Sequence, residues 1–429
     1  MPKFRRMLKL RRMNSGFSAE QNSAARDFVG YVMSDMARLW ANAGWNSLGQ
    51  HGHERLQADL QPSRLGYRRG MAVGRQLFFF SQAWRVTGET LFAERAHACY
   101  ADLTERFWDS QHGGWFFSLG DDGQPAEATK DLYGHAFVMF GLAHYASIFG
   151  RREALDWAGQ TNELVKTRLW LPQGWGAQAA TREWSLKDAA LEQNPHMHLL
   201  EAYLSLHAAS GDPAWLAEAQ RMVAVYTERL RSFDGAKVLE HFDARGEPLP
   251  DKGRLIQPGH LYEWYWLLNE YADSAGLVLY STSSAPLIAW ADRYGVDDRY
   301  GGIYFQVDAD GAIVVDRKRI WPVTECIKAY ATLARHTGNP SAYDRLSEWI
   351  AFITKTYFTA AGGWHEFVRR DLTPDSDYMP SSTPYHAAMA ALEVERLLGG
   401  PGAFKLQRLQ SNRDSAAANS KNSREALFL

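Results

Sequence analysis

Apolar residues recur at i, i+3, i+4 and i+7 through most of the chain from residue 23 to residue 398. That period predicts amphipathic helices. Twelve are drawn, over 23–43, 67–87, 89–108, 131–149, 151–169, 189–209, 213–231, 257–273, 276–294, 321–337, 341–357 and 383–398. Thr87-Gly88, Gly150, Gly211-Asp212-Pro213 and Gly338-Asn339-Pro340 separate pairs of them. These are short helix stops followed by helix starts, which fold two helices back on each other. A second rhythm is glycine beside an aromatic or acidic residue: GW at 44–45, GGW at 113–115, GW at 174–175, FDG at 233–235, GGIYF at 301–305 and GGWHE at 362–366. Its interval of about 60–70 residues exceeds the usual solenoid repeats. WFFSLGDDG and IYFQVDADG after two of these marks predict small hairpins with Asp-Gly turns.

Six helical hairpins predict an all-α closed toroid, an (α/α)6 barrel with alternate helices in an inner and an outer ring and short β-hairpins in its loops. An open helical solenoid is the alternative, because repetition alone does not dictate closure. The barrel is assigned to residues 23–400 as one catalytic domain. Residues 1–22 carry six basic side chains and no acid before Glu20, and are expected to be a disordered basic extension. Residues 401–429 form a polar tail that is also expected to be disordered.

The even-numbered helices should share one ring, and each has polar residues in its first half. They are Arg75; Tyr133 and His135 in KDLYGHAF; Asn194 and His198; His260 and Glu263 in PGHLYEWYWLL; Trp321 and Glu325 in WPVTECIKA; and His386 in STPYHAAMA. Parallel inner helices would bring their first turns to one mouth and collect these groups in one pocket. The segment QNPHMHLLEA (193–202) holds two histidines two residues apart, and Asn-Pro ahead of an apolar run predicts a helix start. On a helix such residues diverge by roughly 200°, so His196 and His198 cannot grip one ion. Asn194 and His198 are i, i+4 and share a face; His196 is expected to pack or cap locally. His260 and Glu263 are i, i+3, so the carboxylate can orient the imidazole. Trp321 and Glu325 offer an aromatic platform beside an acceptor for sugar hydroxyls.

Composition narrows the chemistry. With 46% hydrophobic and 13% aromatic residues, the chain carries a large core. Its sixteen tryptophans are compatible with sugar stacking, although most aromatic rings serve cores. A net charge of −2 gives no electrostatic case for nucleic acid. Cys99 and Cys326 are too few for a disulfide framework and are expected to be buried thiols in a reducing compartment. No run approaches 18 apolar residues, so no membrane span is expected. HExxH, zinc-type Cys/His spacing, a P-loop, GxGxxG after a strand and a Gly-x-Ser-x-Gly elbow are all absent. Neither a metal nor a cofactor is expected. Imidazoles of near-neutral pKa suit proton abstraction and return.

NPHMHLLEA, PGHLYEWYWLL, WPVTE and TPYH, with GGWFFSL, DG and YGHAF upstream, resemble the N-acylglucosamine 2-epimerase superfamily across about residues 25–398. That superfamily includes cellobiose 2-epimerases and mannose isomerases, and its fold is the (α/α)6 barrel. The resemblance implies that His260 and His386 transfer protons. It implies substrate-binding or orienting roles for Arg75, Tyr133, Asn194, His198, Glu263, Trp321 and Glu325, and it suggests Arg254 as a further arginine. The expected activity is interconversion of free mannose and fructose through a cis-enediol(ate), with His386 as principal base at C2. The compact WPVTE and GHLYEW segments favour it. A 2-epimerase acting on N-acetylglucosamine, glucose/mannose or cellobiose is the alternative. Arg64, Arg68, Arg69 and Arg75 leave a sugar-phosphate isomerase open. A glycoside hydrolase using Glu263 and Glu325 and a non-catalytic sugar-binding barrel are further readings. The expected partner is a small sugar, without nucleic acid, for a cytoplasmic monomer or homodimer.

Overall fold

Tight turns join each inner helix to the next outer one, and long loops return from outer to inner. This asymmetry places the site. The computed structural model describes residues 16–188, 190–277 and 280–404. Residues 1–15 of the expected basic extension and 405–429 of the expected tail lie outside them. Twelve helical rods alternate among the described residues. The outer rods are α1 (Ala19–Gly30, continued through Tyr31–Met36 to Ala37–Asn42), α3 (Thr90–Asp102), α5 (Arg152–Leu164), α7 (Pro213–Val225), α9 (Tyr280–Trp290) and α11 (Pro340–Thr356). The inner rods are α2 (Gly70–Thr87), α4 (Leu132–Phe149), α6 (Gln193–Ser210), α8 (Pro258–Ala275), α10 (Ile320–Thr337) and α12 (Thr383–Leu397). Each inner rod packs on the next, and α12 packs back on α2, so the ring is closed. The toroid is the (α/α)6 barrel that the repeat pattern predicts, and the open solenoid is excluded.

Inner helices are buried nearly all round, as α4 is from His135 to Ser147, whereas outer helices bury one stripe. Where α2 crosses α4, a Cβ on Gly141 would sit 2.4 Å from the Gly74 carbonyl, so the two backbones meet directly. Inner helices α2, α4, α6, α8 and α10 end on Gly88, Gly150, Gly211, Gly276 and Gly338, with φ between 64° and 75°. Only glycine takes this left-handed cap without a penalty. Asp212 and Asn339 then cap the following outer helices, with Pro213 and Pro340 in their first turns.

At the opposite end, α3, α5, α7 and α9 widen into π turns at Leu103–Phe107, Val165–Leu169, Tyr226–Leu230 and Ala291–Gly295. The chain then doubles back, with Trp108 facing Trp115, Trp170 facing Gly176, Arg231 facing Val238 and Val296 facing Ile303. The glycine marks at 113–115, 174–175, 233–235 and 301–305 are therefore these reversals. The predicted hairpins form at Ser118–Gly120 with Pro125–Glu127 and at Gln306–Asp308 with Ile313–Val315. Each also pairs with the strand entering an earlier inner helix, Tyr67–Arg69 or Leu255–Ile256. That pairing is why α2 begins at Gly70 and not at 67. Likewise α6 begins at Gln193, because residues 191–193 bond to the segment around Glu240. At the N-terminus, the Ser18 capping box starts α1 at Ala19, inside the span expected to be disordered.

Two buried ion clusters repeat across the ring. Lys130 Nζ bonds Asp109 Oδ2 at 3.0 Å, and Arg182 Nε bonds the same oxygen at 2.9 Å. Half a turn away, Lys318 Nζ bonds Asp297 Oδ2 at 2.9 Å and Arg370 Nε bonds it at 3.1 Å. Each aspartate also caps its glycine turn, Asp109 from Gln111 and His112 and Asp297 from Arg299 and Tyr300. Cys99 and Cys326 are buried free thiols. No helix among the described residues is long and apolar enough to cross a membrane.

Removing one partner of a buried ion pair strands the other, at a cost of about 3–5 kcal/mol. Asp109→Ala should therefore lower the stability measured by urea unfolding by that order. Arg182→Ala, at the more exposed end of the cluster, should cost less. Equal losses would contradict this assignment.

Candidate active site

The first turns of the inner helices and the long loops enclose a cavity of about 650 Å³ at one mouth of the barrel. Arg75, Tyr133, Asn194, His198, His260, Glu263, Trp321 and His386 all line it. Eight of the ten polar residues singled out on the inner helices thus converge. Glu325 does not reach the cavity: it is fully buried behind His386. Its expected role as a hydroxyl acceptor is corrected to support of an imidazole. His135 also stays out of the pocket. Its Nδ1 lies 2.7 Å from the Asp131 carbonyl and its Nε2 accepts the Trp115 N–H at 3.2 Å. His196 repeats this arrangement, with Nδ1 on the Glu192 carbonyl and Nε2 accepting from Gly176 N. Both imidazoles are staples between an inner helix and the preceding loop.

The pocket histidines have a different backing. Nδ1 of His198 meets Glu201 Oε2 at 3.0 Å, Nδ1 of His260 meets Glu240 Oε1 at 2.9 Å, and Nδ1 of His386 meets Glu325 Oε1 at 2.7 Å. A carboxylate on Nδ1 makes that nitrogen the donor and leaves Nε2 for the cavity. The sequence expectation that Glu263 orients His260 is corrected: Glu240, from the loop between α7 and α8, does so. Both Glu263 oxygens lack a hydrogen-bond partner among the described residues. The nearest counter-charge is Lys328 Nζ, 3.8 Å from Glu263 and 2.5 Å from Glu325 Oε2.

Trp321 lies between His260 and His386. Its ring centroid lies 5.0 Å from His260 and 5.5 Å from His386. Gly259 makes room for it, since a Cβ there would fall 2.5 Å from Trp321 Cζ3. Across the cavity, Arg75 Nη2 donates to Tyr133 Oη at 2.7 Å, and its guanidinium lies 3.9 Å from the Phe137 ring centroid. At the rim, Arg69 is paired with Glu54 and Arg319 with Glu366, while Arg55 stacks on Tyr378 at 4.1 Å. The arginines of the 64–75 stretch do not form one cluster. Arg64 is exposed, Arg68 pairs with Asp102 in the core, and only Arg69 and Arg75 face the cavity. Arg254 pairs with Asp310 at the surface, outside the cavity lining.

The electrostatics separate the imidazoles. Burial, reinforced by the positive charge of Arg75 and Lys328, holds His386 well below its usual pKa. Burial also holds His198 well below its usual value. Burial pulls His260 down too, but the Glu240 charge outweighs it and the net shift is upward. Glu325 is pushed well up by burial and by the charge of Glu263, against the pull of Lys328. Asp131, which caps α4 through the Gly134 N–H, is raised to about 6 by burial. The sets His198, Glu201, Glu263 and Glu263, Glu325, His386 each bring polar side-chain atoms within 4.8 Å of one another. Lys328 supplies a positive charge to the same carboxylates.

The sequence that builds this toroid matches a known family. N-acylglucosamine 2-epimerase (GlcNAc 2-epimerase) is the family that aligns, over residues 52–390. The chain belongs to that family. The family's proteins and the relatives of this chain are sugar isomerases and epimerases, and this chain is an enzyme of that class. A protein of Rhizobium meliloti named mannose-6-phosphate isomerase is 27% identical over 387 residues, 87% of this chain and 97% of its own length. A D-mannose isomerase of Thermobifida fusca is 28% identical over 306 residues, 66% of this chain and 73% of its own. The solved cellobiose 2-epimerase of Bacillus thermoamylovorans B4167 superposes with a TM-score of 0.80 at 21% identity. That superposition covers 87% of this chain and 100% of the solved one, and it shows the shared fold.

Behind the cavity, Glu240, Gln193, Glu201 and Lys328 contact its histidines or their carboxylates, and none of them stood out in the sequence. Lys328 had a local signal, a lysine in an apolar inner helix three residues after Glu325. Glu240 had none, because it lies in a loop twenty positions before the histidine it serves.

The fit of Gly259 against Trp321 predicts a coupled pair. Gly259→Ala should cost about 1–3 kcal/mol through overpacking. Combined with Trp321→Phe, it should cost less than the sum of the two single changes in urea unfolding. Additive losses would mean that the indole does not rest on Gly259.

Proposed function

We propose that the protein is an aldose–ketose isomerase that interconverts free mannose and fructose through a cis-enediol(ate). The observation that carries the reading is the pair His260 and His386, each held at Nδ1 by a buried carboxylate and both in ring contact with Trp321 in one cavity. The D-mannose isomerase of Thermobifida fusca supports the choice of sugar. Trp321 offers an apolar face to the C–H surface of the open-chain sugar. His386 takes the C2 proton, which the C1 carbonyl acidifies, and His260 exchanges a proton with the sugar oxygens. Return of the C2 proton to C1 gives the ketose. Arg75, with Tyr133, stabilises negative charge developing on the oxygens. Asn194 and His198 hold hydroxyls from the neighbouring inner helix, and Glu263 accepts from a hydroxyl, since its oxygens are otherwise unpartnered. No redox cofactor enters, because the reaction is internally balanced.

Returning the proton to the opposite face of C2 would make the enzyme a 2-epimerase, the activity in the family's name. Two imidazoles in one cavity serve either outcome, so product analysis decides. A phosphorylated substrate is favoured by one observation. Arg55 on the cavity wall stacks on Tyr378 and pairs with no carboxylate among the described residues, and the Rhizobium meliloti relative is named for mannose 6-phosphate. Glycoside hydrolysis fits poorly, because Glu325 is buried behind His386 and does not flank the space where a bond would lie.

Incubation with mannose in D₂O should yield fructose labelled at C1. Glucose labelled at C2 would instead establish epimerisation. No exchange into mannose, N-acetylglucosamine, cellobiose or mannose 6-phosphate would overturn the enediol reading. His386→Ala and His260→Ala should each lower kcat by about 10²–10⁴-fold. Arg55→Ala should raise KM for mannose 6-phosphate more than for mannose if the phosphorylated sugar is the substrate. EDTA should leave turnover unchanged; loss restored by a divalent cation would assign a metal to the carboxylate sets beneath the pocket.

The pH profile follows from opposite shifts. His386 lies below its usual 6.5, so the neutral base persists as pH falls towards 6.5 and activity is lost at lower pH. His260 lies above 6.5, so the proton donor persists past that value and activity is lost on the alkaline side. A plateau spanning pH 6.5 is expected in kcat/KM.

A further inference from the structure

The two imidazoles lie in nearly equivalent hydrogen-bonding geometries, but their backing carboxylates do not carry the same charge environment. Glu325 has an ammonium group at 2.5 Å, Lys328 Nζ, inside a fully buried cluster. Glu240, 3% exposed, pairs with no Lys or Arg among the described residues, its ion-pair partner being His260 itself. Its Oε1 accepts from the Gln257 N–H at 3.1 Å and its Oε2 from Gln193 Nε2 at 2.8 Å, both neutral donors. Trp264 Nε1 donates to Gln193 Oε1 at 2.7 Å, which turns the amide nitrogen towards Glu240. The segment carrying Glu240 is fixed by main-chain bonds, Gln193 N to Glu240 O and Phe242 N to Leu191 O. Gln193 Nε2 also lies 2.8 Å from His260 Nδ1. That contact is a hydrogen bond only if Nδ1 has no proton. The Glu240 oxygens, at 2.9 and 3.0 Å from the same nitrogen, compete with it as charged acceptors. Charge-assisted bonds are roughly twice as strong as neutral ones.

We propose that Glu240 is a positioning residue that keeps His260 as the protonated member of the pair in the free enzyme, while Lys328 leaves His386 as the unprotonated one. The inference rests on the isomerase/epimerase reading only for its consequence in turnover. A buried carboxylate without a cation is costly until a proton or cation neutralises it, and the His260 ring is the group placed to accept that proton. At the other dyad, Lys328 lies 2.5 Å from Glu325, and burial with the Glu263 charge pushes Glu325 itself towards its neutral form, so a positive charge on His386 has little to stabilise it. The surrounding groups act in the same sense. His260 is faced by Glu240 from the loop, Glu263 on its own helix, His198 and Gln193 from α6, and Trp321 from α10. His386 is faced by Glu325 and Lys328 from α10, Arg75 from α2, His198 and Glu201 from α6, Glu263 from α8, Arg319 ahead of α10, and Tyr385 on its own helix. The upward shift at His260 and the downward shifts at Glu240 and His386 agree with this division. Proton transfer then has a built-in direction. The enzyme binds an aldose with a base ready at His386 and an acid ready at His260, and the two exchange states during the forward reaction.

The test is NMR titration of histidine ring signals in the full-length free protein, with His260→Asn and His386→Asn identifying the two resonances. His260 should be imidazolium at pH 6.5 and titrate above it, and His386 should be neutral there. In Glu240→Gln the His260 midpoint should move to below 6.5. The alkaline limb of kcat/KM should move with it, and kcat should fall by about tenfold or more with KM changed much less. Glu240→Asp should restore part of the shift. Lys328→Met should move the His386 titration upward and leave that of His260 in place. A neutral His260 at pH 6.5 in the wild type would overturn the proposal even if Glu240→Gln fails to fold. So would an unchanged His260 midpoint and pH profile in a folded Glu240→Gln. The titration needs no sugar: asymmetric histidines without turnover on any sugar would sink the isomerase/epimerase reading alone, whereas turnover with symmetric histidines would sink this proposal alone.

Discussion

The bond on which the site depends is the one between a buried carboxylate and the Nδ1–H of an imidazole. A carboxylate taken out of water is expensive unless it is hydrogen-bonded and electrically balanced. Here the hydrogen bond is supplied three times by a histidine that lines the cavity, at His198 with Glu201, His260 with Glu240 and His386 with Glu325. The same contact that satisfies the acid fixes the ring's tautomer and aim. The stability of the inner ring and the chemistry of the pocket thus rest on shared hydrogen bonds. Variation in one is felt in the other.

These bonds form only because the inner helices are parallel and in register. Tight glycine-capped turns at one end force each hairpin to reverse within a few residues, so every inner helix enters the barrel from the opposite, loop-bearing end. The first turns of α6, α8, α10 and α12 then stand side by side, and side chains at matching depths meet. The loops are held over that mouth by the Lys–Asp–Arg clusters and by strand pairs that stitch each loop to another. A cavity of about 650 Å³ with many charged and polar groups in its lining survives at that mouth. The inner rods below it are packed too closely to collapse further, with Gly74 and Gly141 at backbone contact.

The histidines near the start of the inner helices fall into two classes by the acceptor on Nδ1. His135 and His196 donate to the carbonyl four residues back and use Nε2 to take a loop N–H, so both nitrogens are spent on architecture. The carboxylate-backed ones spend one nitrogen. In QNPHMHLLEA the two kinds stand two residues apart, on faces of α6 that point to different neighbours, and the metal-gripping reading of that pair has no geometric basis.

The helix period, the glycine stops and the placement of polar residues in the first half of alternate helices were local properties. They determined the hairpins and eight of the ten polar residues singled out for the pocket, while closure of the ring against an open solenoid was decided only by the packing of α12 on α2. They did so because a helix of known phase carries its side chains to predictable faces, and because short turns leave one topology. What the sequence could not determine was which acid serves which imidazole. Glu263, the natural choice for His260 at i, i+3, is displaced from that role by Glu240, which arrives from a loop through pairing with residues 191–193. Glu325, read as a sugar contact, is turned behind His386 by the approach of α12 to α10. Both outcomes are contacts between segments distant in the chain. Sequence spacing gives the reach of a side chain along its own helix, whereas its partner across the barrel is decided only when the ring closes.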